Sequence, residues 1–345
     1  MSATHVSSPV ERVLHGSGAV ASLPEELHLR EATRVVVVSS ATLHRETPVI
    51  AALEQELQAH HLATFTKLSQ HTPDTAVEEL AALLRELRAD AVVSVGGGSV
   101  IDGCKAALHA RGAESAVHLA LPTTLSGAEF TASAGLTDSA TRQKRSVFDR
   151  RAAPRVVILD PQLTVSTPDR LWLASGIRAV DHAVETVLSP IQDELCTFLA
   201  LEALSRLRMA LPQCHLDPQD LPARHRAQVA AWWAALGLAS VPMGPSHSLG
   251  KLLGAPFGIA HGITSCVLLP AVIGQIASSE PERLDPLAPA FEVSGPREVA
   301  DACRALIAGL GLPGTLSEAG LATADLPAYL ETVPASWRDV VRSVY

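Results

Sequence analysis

The sequence predicts an α/β protein in two parts, a doubly wound parallel sheet followed by an all-helical region. Three observations carry that reading. Short β-branched runs alternate with amphipathic helical segments as far as Asp160. Beyond Asp160-Pro161 strand signals fade, and Ala-Leu-rich helical periodicity continues almost to the end. Aromatic residues make up only 3% against 47% hydrophobic residues, which suits helix packed on sheet or on helix. At 345 residues, two domains are expected. We place them at 1–162 and 163–345, with the boundary within 160–168 and a cleft between.

The elements follow in order. Arg34 to Ser40, with four consecutive valines, reads as a strand buried on both faces. Pro48 to His60 is an amphipathic helix, and Ala63 to Leu68 a second strand. Asp74 to Arg88 is a long helix opening on an Asp cap with early acids. Ala89 to Val95 is a third strand and runs straight into GGGS. His118 to Thr124 and Arg155 to Asp160 complete the strand set.

The formal net charge of −9 argues against a general nucleic-acid binder. The short basic cluster Arg142 to Arg145 reads as a solvated loop. Five scattered cysteines without a CxxC pair point to free thiols in a reducing compartment. The opening MSATHVSSPVERV lacks a signal peptide's apolar core, so a cytoplasmic location is expected. Val229 to Gly250 is uncharged and long, but its glycines, prolines and serines read as a buried helix and a loop.

Two loops carry a phosphate-binding pattern. In VVSVGGGSVIDGCKAAL a buried strand meets Gly96, Gly97 and Gly98, then Ser99, then a helix. Glycines let backbone N–H groups approach an anion, and the helix start favours negative charge. The pattern is neither GxGxxG nor a Walker A loop. LPTTLSGAE repeats the arrangement at the next strand end, with Thr123, Thr124, Ser126 and Gly127. Ligands of open α/β sheets bind at the carboxyl ends of strands, so the two loops predict one shared dinucleotide.

The helical half carries a second pattern. In GIRAVDHAVETVLSP, Arg178 and His182 stand four apart, on one helix face. GPSHSLGKLLGAPFGIAHG holds His247 and His261, fourteen residues apart in the chain. Pro245-Ser246 starts a helix, with His247 in its first turn and Lys251 one turn later. Gly254, Pro256 and Gly258 are expected to break that helix, and His261 to head the next one. His182, His247 and His261 could thus converge on one site.

These motifs resemble the iron-containing alcohol dehydrogenase superfamily, and within it the maleylacetate reductase branch. GGGSVID (96–102), LPTTLSGAEFT (121–131), GLTD (135–138), VVILDPQLT (156–164), GIRAVDHAVE (176–185) and GPSHSLGKLLGAPFGIAHG (244–262) occur in family order. The resemblance implies a Rossmann-like domain and an all-α domain, the dehydroquinate synthase-like arrangement, and a homodimer. It implies NADH or NADPH bound through Gly96, Gly97, Gly98, Ser99 and Asp102, with Thr123, Thr124, Leu125 and Lys144. Ser39, at the end of the valine strand, stands where an acid would favour NADH. In metal-dependent relatives an Asp and three His bind iron or zinc. The three His match His182, His247 and His261, but the Asp falls on Arg178. Lys251 stands where a further histidine is common, and Ala128 replaces the serine of the usual GSE triplet.

A guanidinium keeps its proton and cannot ligate a cation. Metal-free chemistry is therefore expected, although three imidazoles alone can hold zinc. Asp181, one residue from His182, points about 100° round the helix and is no substitute ligand. We expect Arg178, helped by Lys251, to act as the electrophile, and His247 or His261 to supply a proton. The plainer alternative for Arg178 is a structural ion pair with Asp181, Glu185 or Asp160. The expected function is NAD(P)H-dependent reduction of a small carboxylated enone or keto substrate. A non-redox lyase or cyclase on the same scaffold, and a three-His metal alcohol dehydrogenase, are the alternatives.

Overall fold

A computed structural model describes residues 4–112, 116–141 and 143–345. Met1 to Ala3, which open the leader reading, and Arg142 of the basic cluster lie outside the described residues. The chain forms two compact units. One spans Ser8–Thr167; the other contains Pro168–Tyr345 and the described N-terminal residues up to Ser7. The sequence-based boundary at 162/163 thus compares with a structural one between Thr167 and Pro168.

In the first unit β1 (Arg12–His15), β2 (Val35–Ser39), β3 (His61–Phe65), β4 (Ala91–Gly96), β5 (Val117–Pro122) and β8 (Val156–Leu159) form one sheet. Its order is β1-β8-β5-β4-β2-β3, and every pairing is parallel. Two elements were not anticipated. The edge strand β1 is half exposed, and β6 (Ser133–Thr137) and β7 (Lys144–Phe148) make a separate antiparallel hairpin.

The valine run explains the layering. Alternate residues of a strand face opposite sides. Val36 and Val38 enter a core with Val92, Leu80 and Leu84, whereas Val35 and Val37 enter another with Val93, Ile50 and Leu53. Burying one such side chain contributes about 1.5–3 kcal/mol, so neither face tolerates a polar residue without a partner. Asp74, expected as a helix cap, is the first residue of helix Asp74–Glu86, with Pro73 at the cap position. Its carboxylate instead accepts from the backbone and hydroxyl of Ser139 and from Arg145.

The second unit is helical. Helix Asp169–Val187 has 16 buried residues of 19, so beyond its first turn it lies inside the bundle. Its neighbours approach closely. A Cβ on Gly176 would come 2.3 Å from Leu211 Cδ2, and one on Gly262 would come 2.5 Å from the Ala174 carbonyl oxygen. Helix Pro245–Phe257 runs through Gly254 and Pro256, contrary to the expected break there; it ends at Gly258, whose φ of 70° suits glycine. Helix His261–Ser279 is long and apolar enough by composition to cross a membrane, but 61% of that window is buried inside the unit.

Candidate active site

The two glycine-rich loops leave adjacent strand ends. Gly96 pairs with Pro122 across β4 and β5, and Thr123 N–H donates to the Gly96 carbonyl at 2.9 Å. The loops are pressed together. A Cβ on Gly97 would stand 3.0 Å from Thr124 Cγ2, and one on Gly98 would stand 3.0 Å from Ser126 Oγ. Gly96 adopts φ 155°, which side chains rarely follow. Gly97 caps helix Gly98–Arg111, whose start leaves backbone N–H groups without intrahelical partners. Thr124 is buried, and its Oγ1 has no hydrogen-bond partner among the described residues. A buried hydroxyl without a partner is uncommon and fits a ligand oxygen. These observations fit the diphosphate of a dinucleotide.

Other residues expected at the cofactor are arranged less uniformly. Asp102 Oδ1 pairs with Lys105 at 2.8 Å, and its Oδ2 accepts from Gly135 N–H at 3.0 Å. Lys144 passes over Gly135, with Cε 2.8 Å from where a Cβ would stand. Ser99 and Leu125 belong to the two loops. Ser39 is turned inward: its hydroxyl donates to the Val95 carbonyl at 2.9 Å and is fully buried. Lys105 was missed. Its buried ammonium donates to the carbonyls of Ala128 and Thr131 and is paired with Asp102, tying the helix to the second loop.

Helix Asp169–Val187 places Arg178, Asp181, His182 and Glu185 on one face, at i, i+3, i+4 and i+7. All four are buried. Arg178 Nη1 donates to Asp181 Oδ2 at 3.2 Å and to Ser265 Oγ at 3.0 Å. Its Nη2 lies 2.9 Å from His247 Nε2. Those bonds commit three of the five N–H groups a guanidinium carries. Asp181 Oδ2 also accepts from Ser265 Oγ at 2.6 Å and Ser246 Oγ at 3.0 Å. Asp181 is therefore the arginine's counter-ion, one of the partners the sequence offered. Asp160 is elsewhere, accepting from Gln162 and Val20 N–H.

Glu185 supports the next helix. Its carboxylate accepts from Gly244, Ser246 and His247 N–H at 2.9, 2.7 and 3.3 Å, closing the start of helix Pro245–Phe257. Burial and Asp181 push Glu185 up to about 8, while Arg178 and these N–H groups oppose them. Burial raises Asp181 against the guanidinium and two hydroxyls. Burial, and then Arg178, hold His182 and His247 well below the ordinary imidazole range. Their rings lie 5.6 Å apart. Lys251 follows one turn after His247, and burial followed by Arg178 lowers its pKa. His261 heads its helix, as expected, with its ring against Gly254.

A divalent cation does not fit these donors. The place a ligand carboxylate would take belongs to a permanent cation, whose N–H occupies the His247 Nε2 lone pair. The three-histidine metal set of the sequence reading is thus opposed by Arg178 itself. Among the described residues, the donors close enough to share an ion are His5, Asp193 and Cys196, within 4.8 Å of one another and apart from this set. There His5 and Ser240 already bind Asp193, tying the N-terminal segment down.

Family models agree with both units. Residues 10–161 match "Iron-containing alcohol dehydrogenase", and residues 172–335 match "Fe-containing alcohol dehydrogenase family, C-terminal". A maleylacetate reductase of Pseudomonas sp. (strain P51) is 34% identical over 323 residues, covering 93% of this chain and 88% of that protein. The chain belongs to the iron-containing alcohol dehydrogenase family. As a member, it is an NAD(P)-dependent oxidoreductase with the family's two-part fold. A maleylacetate reductase of Sphingobium indicum is also 34% identical, over 90% of this chain and 85% of that one. The crystal structure of maleylacetate reductase from Agrobacterium tumefaciens superposes with TM-score 0.89 at 27% identity, covering 100% of this chain and 98% of that chain. Where the resemblance implies a metal-ligand carboxylate, this chain carries Arg178.

Proposed function

We propose that the protein reduces a small carboxylated enone or keto acid of the maleylacetate type, without a metal, using Arg178 as the electrophile. One observation carries the reading: Arg178 is held by Asp181, Ser265 and His247 and still has two N–H groups without a partner among the described residues. A fixed guanidinium edge suits a carboxylate or an oxygen that gains charge. The curated relatives named maleylacetate reductase support the same substrate class.

Gly96, Gly97, Gly98 and Ser99, with Thr123 and Thr124, would hold a reduced nicotinamide dinucleotide, which would supply a hydride. For an enone, the hydride would join the β-carbon of the alkene, and the displaced electron pair would come to rest on the carbonyl oxygen as an enolate, leaving the α-carbon to take the proton. Arg178 holds that oxygen, and Lys251 adds positive charge one turn beyond His247. A proton then joins the other alkene carbon, so one hydride and one proton have been added.

The test is turnover of maleylacetate with NADH and with NADPH, in the presence of a strong chelator. Arg178→Ala should lower kcat/KM by roughly 10²–10³-fold, the cost of removing one charge-stabilising donor group. Unchanged kcat/KM in that variant would sink the electrophile role. Product without net nicotinamide oxidation would favour the lyase or cyclase instead.

A further inference from the structure

We propose that His247 works as an uncharged hydrogen-bond donor through Nδ1–H and never gives up its proton. Asp181, Ser246 and Ser265 are the positioning residues that fix this state through Arg178.

The argument rests on which atoms can donate. A guanidinium has donors and no acceptor. Arg178 Nη2 lies 2.9 Å from His247 Nε2, so Nε2 supplies the lone pair. A neutral imidazole has one N–H, which must then sit on Nδ1. That Nδ1 is buried and has no hydrogen-bond partner among the described residues. A buried donor without an acceptor is costly, so this nitrogen is set to meet a ligand oxygen.

The same contact limits what the ring can do. An imidazolium would bring an Nε2–H against a guanidinium N–H at that distance. A ring that lost its Nδ1 proton would become an imidazolate. Neither suits a proton shuttle, whereas a neutral donor can polarise a carbonyl without a transfer step. The groups facing the ring act the same way, Arg178 and Lys251 as cations and His182 and His261 as neighbouring rings. Arg178 and His182 face it from helix Asp169–Val187, Lys251 from its own helix, and His261 from helix His261–Ser279. The proton consumed in the reduction therefore comes from His261, Lys251 or solvent, and His247 keeps its own.

The positioning residues explain how the guanidinium stays in place. Ser265 Oγ accepts from Nη1 and donates to Asp181 Oδ2, while Ser246 Oγ donates to the same oxygen. Ser265 and Asp181 are fully buried, and Ser246 nearly so. One carboxylate oxygen thus collects two hydroxyls and the arginine, and Nη2 is left directed at His247.

The role given to His247 rests on the reductase reading; its tautomer does not. The experiment is long-range ¹H–¹⁵N NMR on the full-length protein with ¹⁵N-labelled histidine, His247→Gln providing the assignment. We expect His247 as the Nδ1–H form, unchanged between about pH 6 and about pH 8, the range in which a free imidazole titrates. An Nε2–H form or an imidazolium in the wild type would overturn the proposal. Ser265→Ala should disturb the His247 signals and lower kcat by up to about 10²-fold with KM little changed, the size of effect expected for a group misplaced by about 1 Å. Ser265→Thr, which keeps the hydroxyl, should restore both. Ser265→Ala leaving spectrum and kcat untouched would remove the positioning role. Because the spectra need no substrate, a wrong tautomer defeats this proposal alone. Failure to turn over carboxylated enones defeats the reductase reading and leaves the spectra standing.

Discussion

The two units build their sites from different materials. At the glycine cradle the backbone dominates: N–H groups at a helix start, and glycines at which an added Cβ would press to 2.9–3.0 Å on a neighbour. In the helical unit, side chains carry it: an arginine, two carboxylates, two serines and three histidines on three helices. A backbone site tolerates drift in its surroundings as long as the glycines stay. A side-chain site can change its reaction through one residue, and Arg178 is the residue proposed to do so here.

The sharpest way to break this comparison is Arg178→Asp. It would rebuild the Asp-plus-three-His ligand set that the resemblance assigns to metal-dependent relatives. Without a metal, the variant would bury a third carboxylate beside Asp181 and Glu185 with their guanidinium partner gone, which costs about 3–5 kcal/mol by analogy with broken buried pairs. We expect its Tm to fall, and to recover on adding Zn²⁺ or Fe²⁺, with reduction of the carboxylated substrate lost. The wild-type Tm should not respond to either ion. A wild type that gains stability from zinc would show that Arg178 does not exclude a cation.

Much of the α/β unit was legible because its signals are local. Four valines in a row suit a strand buried on both faces, as in a parallel sheet covered by helices, and three glycines ahead of a helix suit an anion. The strands missed were those without that signature. β1 is a half-exposed edge, and the β6–β7 hairpin holds Lys144, Arg145 and Ser146 on a largely solvent-facing strand. In the helical unit, Arg178 and His182 were visible from their spacing. Asp181 was dismissed as a metal ligand for its angle to His182, yet three residues from Arg178 is the right spacing for an ion pair. Ser246 was read only as a helix start and Ser265 was not singled out, because their partners lie 65 and 84 residues away in the chain. A trace existed: Ser265 interrupts an apolar helix core, where a hydroxyl needs a partner.

A second test asks whether the α/β unit relies on side chains anywhere. His118 in β5 is fully buried, with Nδ1 at 3.2 Å from the Ala152 carbonyl and Nε2 at 2.8 Å from Ser94 Oγ on β4. A carbonyl only accepts, so Nδ1 carries the proton and Nε2 accepts from the serine. Burial lowers its pKa to about 3, from an ordinary value of 6.5. The unfolded chain therefore takes up a proton that the folded chain refuses. This contribution is whole above about pH 6.5 and declines as pH falls toward about 3, at up to about 1.4 kcal/mol per pH unit. Urea unfolding at about pH 7, 5 and 4 should show stability falling more steeply in the wild type than in His118→Asn. Equal slopes would mean that the ring is not kept neutral by the fold.

The smallest effect expected is also the most discriminating for the cradle. Thr124 Oγ1 is buried with no hydrogen-bond partner among the described residues, so the fold gains nothing from the hydroxyl. Valine has nearly the same shape. If the hydroxyl is kept for a cofactor oxygen, Thr124→Val should leave Tm unchanged or slightly raised. The Kd for NADH or NADPH, read from nicotinamide fluorescence, should then rise about 5- to 10-fold, the worth of one neutral hydrogen bond. Ser265→Ala, which empties one link of a paired network, should by contrast lower Tm. A Thr124→Val protein that loses stability but binds the nucleotide normally would reverse the assignment. The hydroxyl would then serve the fold, and the cradle would bind through backbone alone.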